Sequence, residues 1–191
     1  MAKTKRHRTA FQKATAALEE QGQKQCMLLY SATALALHRY WGKGKQTIIS
    51  LFEITGEVWR TCAATNQKSM IQMCEEETGI EVQNESGKSW RDLPYLNSTL
   101  DQQKLSNAQW VYMRHRQIEW IAPQVMACIM ISLHRKYHFG FDRCSRIYQQ
   151  IKDIEAQYNM DPVKIHDACK AETMINVYNI ITEKRKSGEA V

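Results

Sequence analysis

A chain of 191 residues can bury one sizeable core or two small ones, and 43% hydrophobic with 24% charged residues is the make-up of an ordinary globular protein. Three prolines, eight glycines and scarce strand-like alternation point away from strand-rich classes and toward an all-α fold. The net charge of +6 belongs mainly to the ends. Residues 1–8 hold Lys3, Lys5, Arg6 and Arg8 and no acid, residues 181–191 add one net positive charge, and residues 9–180 are left at +1.

In chain order, residues 1–8 read as a disordered basic arm. Helix formers dominate from Thr9, with Phe11, Ala14, Ala17 and Leu18 on one side, until Gln21-Gly22-Gln23, which reads as a break. A second helix is expected over 24–40, closed at Trp41-Gly42-Lys43-Gly44 by glycine, with His38 and Arg39 complementing the negative end of its dipole. A third spans 46–62, where Ile48, Leu51, Phe52, Val58, Trp59 and Cys62 recur at helical spacing. Asn66 can cap a fourth, which stops at Gly79. Residues 81–105 are polar and turn-rich and read as a linker. Beyond it, helices are expected over 107–121, from Pro123 to His138-Phe139-Gly140, and from an Asp142 cap through Ile154. A last one runs from Asp161-Pro162 to Lys184-Arg185-Lys186.

Two stretches echo each other: Leu37-His38-Arg39 with Gly44, and Leu133-His134-Arg135 with Gly140, 96 residues apart. The offset holds through Leu51/Ile147, Phe52/Tyr148 and Val58/Ile154. After a one-residue slip, Cys74-x-x-Glu77-Thr78-x-Ile80 matches Cys169-x-x-Glu172-Thr173-x-Ile175. An internal duplication follows as the expectation. It gives two similar helical units, 9–80 and 106–186, joined by the linker 81–105, with a tail at 187–191. Gly44 and Gly140 are then expected at positive φ or at a turn that a side chain would disturb.

Six cysteines without a C-x-x-C motif read as buried thiols in a reducing cytosol. The nearly apolar runs 26–37 and 122–133 are about half a membrane span, so they are expected to be buried helices, and no membrane partner is expected. The basic N-terminus is not followed by an apolar segment, which argues against a signal peptide.

Lys43 and Lys45 stand where the next helix begins, as do Arg143 and Arg146 in the second copy, and helix starts favour anions. With Gly44 they form a candidate phosphate site, to which Lys3, Lys5, Arg6 and Arg8 can contribute. The bland reading of the L-H-R…G stretch is a helix end that needs glycine and tolerates cations. A helix-turn-helix reader of bases is disfavoured, because the second helix exposes acids such as Glu53 and Glu57. His134 with His138, or His166 with Cys169, could hold a metal, but their counterparts Gly42 and Ile71 could not, so no metal site is assigned. The run Glu75-Glu76-Glu77 reads as a solvated face. No catalytic motif is present, no catalytic residue or cofactor is assigned, and an enzyme is the third choice.

The stretch Leu35-Ala36-Leu37-His38-Arg39-Tyr40-Trp41-Gly42-Lys43-Gly44-Lys45, with the helix to Trp59 and residues 74–80, resembles small uncharacterised helical proteins encoded by phages and prophages of gram-positive bacteria, whose pattern is L-x-L-H-x-x-F-G-x-G-K. The second copy departs from it at His138 and Phe141. The resemblance implies a viral accessory protein in the host cytoplasm and supplies no reaction. The expected function is non-enzymatic binding of nucleic acid or of a host protein that handles it, with a homodimer left open. The alternative is an anti-defence inhibitor that blocks a host immune protein or sequesters a nucleotide signal.

Overall fold

Thr9 opens the first helix with a reciprocal cap. Its hydroxyl accepts the Gln12 N–H at 3.3 Å, and the Gln12 side-chain oxygen accepts the Thr9 N–H at 3.0 Å. From there α1 (Ala10–Trp41) runs 32 residues without interruption. A computed structural model describes residues 9–63, 67–84, 87–88 and 106–186. Over these the chain is all-α, with α2 (Lys45–Ala63), α3 (Gln67–Thr78), α4 (Asn107–Ile118), α5 (Ile121–Tyr137), α6 (Phe141–Gln157), α7 (Pro162–Thr173) and α8 (Val177–Lys186). No described helix is long and apolar enough to cross a membrane.

The expected break at Gly22 is absent. A single glycine inside a helix costs about 1 kcal/mol relative to alanine, and here it meets a packing need. Gly22 is buried, and a Cβ on it would sit 3.1 Å from Ile121 Cδ1. The glycine lets the start of α5 come close.

Three other boundaries move. The helix expected over 107–121 ends at Ile118 and a new one begins at Ile121. Pro123 thus falls inside the first turn of α5, where its missing N–H has no partner to lose. The cap of α6 is Gly140, and Asp142 lies in the first turn, where its charge still suits the dipole. The single last helix is two. Met174, at φ 55°, closes α7, and Asn176 caps α8 by accepting the Asn179 N–H at 3.1 Å. The Asn66 cap, the basic arm 1–8, most of the linker and the tail lie outside the described residues.

The helices share one apolar core, in which Leu35, Phe52, Met70, Ile129, Ile147, Ile165 and Ile181 are all buried. Fully burying each such side chain contributes about 1.5–3 kcal/mol. Its layout does not follow the chain. α1 packs chiefly on α7 and α6, while α5 packs chiefly on α3 and α2. Sequence neighbours touch far less, α1 with α2 and α5 with α6 alike.

Candidate functional site

The two L-H-R stretches end α1 and α5 in the same manner. Leu37 O accepts the N–H groups of Gly42 and Lys43, and Leu133 O accepts those of His138 and Phe139. Each imidazole reaches over its turn: His38 Nδ1 lies 3.3 Å from Lys43 O and His134 Nδ1 lies 2.8 Å from Phe139 O. A carbonyl only accepts, so each contact requires the proton on Nδ1. Both histidines fasten helix ends. Among the described residues no group of three or more His, Cys, Asp or Glu is arranged to hold a metal.

The arginines beside them reach across the fold. Arg39 donates through Nε at 2.8 Å and Nη2 at 2.5 Å to the two carboxylate oxygens of Glu172. It also donates to Tyr158 at 2.9 Å and Gln157 at 3.2 Å. Arg135 grips Glu77 in the same two-pronged way, at 3.0 Å and 2.6 Å. The hydrogen bond from Arg39 holds the Glu172 carboxyl below its usual range, and the bonds from the two carboxylates hold both guanidiniums above theirs. The acidic run is therefore more than a solvated face, because Glu77 clamps α3 to α5. The pairing was legible in retrospect: Arg39/Arg135 and Glu77/Glu172 are both matched positions of the two stretches.

The turns that follow the arginines meet at one end of the molecule. Trp41 lies against Phe139, ring centroids 4.9 Å apart, and Tyr137 lies 6.2 Å from Phe139. Tyr137 donates to Thr47 O at 3.1 Å, and Trp41 Nε1 donates to Gln150 at 2.8 Å. Lys43 Nζ sits over the Tyr137 ring at 5.9 Å, and the Arg143 guanidinium sits over Phe139 at 5.7 Å. Two sequence-distant candidate cations thus flank one aromatic cluster. Lys45, Arg143 and Arg146 are exposed and Lys43 is half-buried, and none of the four forms a salt bridge among the described residues. Asp142 is the acid of the second turn, and it too is exposed. Lys3, Lys5, Arg6 and Arg8 lie outside the described residues. The aromatic cluster itself was not foreseen, because nothing in the sequence says which ring Trp41 would meet.

The glycine expectation needs correction. Gly140 has φ −77°, Gly44 is not at positive φ, and a Cβ on either would meet nothing within 4 Å. The left-handed positions are two residues earlier, Gly42 at φ 60° and His138 at φ 52°. Gly44 and Gly140 instead stand before the next helices, where their carbonyls accept from Ile48 and Cys144.

All six cysteines are free and buried. Burial pushes the Cys74 thiol up to about 12 and Cys144 up to about 11, and raises Cys62, Cys128 and Cys169 as well.

No family model, curated protein or solved structure matches this chain.

Proposed function

We propose that this is a non-enzymatic binding protein that holds the phosphate backbone of nucleic acid at the end where its two turns meet. Lys43, Lys45, Arg143 and Arg146 would make the contacts there, with the basic arm Lys3, Lys5, Arg6 and Arg8 adding reach. One observation carries the reading: Lys43 and Arg143 come from turns nearly a hundred residues apart, yet both sit over the Trp41–Tyr137–Phe139 cluster, with no salt bridge to either among the described residues. The rings position the charged groups themselves, Lys43 Nζ over Tyr137 and the Arg143 guanidinium over Phe139, where an anion would meet them. The internal duplication belongs to the same proposal, supported by matched helix ends, matched histidine contacts and matched Arg–Glu clamps. So does the viral accessory role in a host cytoplasm, which rests on residues 35–45 and 74–80.

A second reading, an inhibitor that docks on a host protein, is favoured by large apolar side chains exposed around these helix ends: Tyr40 at 53%, Phe141 at 57% and Met174 at 73%. Salt titration separates the two. Phosphate contact on duplex DNA predicts a log-log slope of about −0.9 per cation engaged. Four contacts therefore give a slope between about −3 and −4, and Lys43→Glu with Arg143→Glu should flatten it by about 2. Affinity should fall alike for unrelated sequences, since backbone contacts position a protein without reading bases. An absence of binding at about 50 mM salt, with a host protein still captured after nuclease treatment, would replace this reading with the inhibitor.

A further inference from the structure

The core of this protein lies between its halves. The first half, residues 9–84, and the second, 106–186, each contain helices that scarcely touch within the half, whereas α1 with α6–α7 and α5 with α2–α3 make the dominant contacts. The polar ties cross the same divide: Arg39 to Glu172, Arg135 to Glu77, Trp41 to Gln150 and Tyr137 to Thr47. Several are reciprocal. Trp41 meets Phe139 while Lys43 meets Tyr137, the same pair of positions taken in both directions at the 96-residue offset. Reciprocity of that kind characterises the interface of a two-fold dimer.

We propose that this inter-half surface is exchangeable, and that the partner it fits is a second copy of the same chain. The first half of one copy would pack with the second half of the other, and the reverse, so that every contact of the closed monomer recurs in a swapped dimer. The connection from Asn84 to Ser106 permits it, since a stretch of that length spans roughly 70 Å when extended. Because each half buries its apolar face chiefly against the other, little core has to be broken and rebuilt inside a half. What chooses between the forms is concentration. A tether of that length keeps the halves of one chain at an effective concentration on the order of 1 mM. The closed monomer therefore dominates when chains fold dilute, and exchange sets in as folding concentration approaches that value. This inference does not depend on the nucleic-acid reading.

The test uses full-length chains. Wild-type protein in light and ¹⁵N-labelled forms is mixed, unfolded in urea and refolded at about 1 µM and about 1 mM. Native mass spectrometry should show dimers only from the concentrated sample, including the mixed-mass species. A second measurement uses the clamp. Arg39→Glu in one chain and Glu172→Arg in another each face like charges when folded alone, but a swapped dimer of the two restores one attractive pair in each of its cores. Co-refolding should raise the dimer several-fold over either variant alone, with one chain of each kind. The double variant Arg39→Glu/Glu172→Arg should recover as a monomer. Wild type that stays monomeric after concentrated refolding would overturn the proposal. Variants that form no mixed dimer while the double variant folds would do the same.

Discussion

The left-handed residues give the sharpest test of how the helix ends are built. Gly42 at φ 60° and His138 at φ 52° close α1 and α5, while Gly140 at φ −77° opens α6 in extended backbone. A Cβ in the left-handed region crowds the following carbonyl and costs about 1–2 kcal/mol. At Gly42 a Cβ would meet nothing within 4 Å, so strain is the only penalty. Against it stands the lower entropy of the unfolded chain, about 0.4–1 kcal/mol in favour of alanine. Gly42→Ala should therefore lose about 1 kcal/mol, which is a fall of about 2–4 °C in Tm for a chain of this size. Gly140→Ala carries no such strain. The chain-entropy gain there offsets the few tenths of a kcal/mol by which alanine is the poorer helix cap, so Tm should stay within about 2 °C. His138→Gly relieves the strain at the end of α5 and should match or exceed wild type. Thermal melts by circular dichroism, with urea titrations followed by tryptophan fluorescence, rank the three. If Gly140→Ala fell as far as Gly42→Ala, or His138→Gly melted lower than wild type, the assignment of the turn residues would be wrong.

The Arg39–Glu172 clamp should make stability acid-sensitive. A carboxyl held below its ordinary value of 4.5 adds stability that is present above that pH and is lost as pH falls through the folded value. Arg39→Met should consequently melt below wild type at neutral pH, and the gap should narrow between pH 5 and pH 3; a constant gap would assign the loss to packing alone. The buried thiols should resist alkylation at pH 8 in native protein and react together on unfolding, because the thiolate is the reactive form and burial disfavours it. Rapid labelling of any one cysteine without unfolding would contradict its burial.

The sequence made several helix boundaries legible where a local chemical device sets them, though it missed the Asn176 cap. Thr9 with Gln12, Gly79 after Thr78, and Asp161 before Pro162 are such devices, and each ends or begins a helix in the structure. It misled where a residue serves a partner distant in the chain. Gly22 looks like a breaker until Ile121 is placed 3.1 Å from where its Cβ would be. Met174 gives no warning that it adopts a left-handed conformation, because nothing in its chemistry favours one. The same limit applies to the candidate site. Lys43, Lys45, Arg143 and Arg146 were visible as cations at helix starts, but the rings beneath two of them were not. Periodicity says which face of a helix is apolar and leaves open which helix covers it. Here α1 is covered by α6 and α7 rather than by its neighbour α2.

That choice of partners has a consequence for how the protein is made. Arg39 emerges from the ribosome 133 residues ahead of Glu172, and the apolar stretch from Leu28 to Leu37 is equally far ahead of α7. At about 5–20 residues per second, translation leaves that stretch without its full cover for roughly 7 to 27 seconds. A nascent α1 can coil early, since helix formation is local, but its burial is not complete until α7 has been synthesised. Folding of this protein is thus completed by its final helices, and a chain released before α7 would lack the helix that packs most extensively on α1.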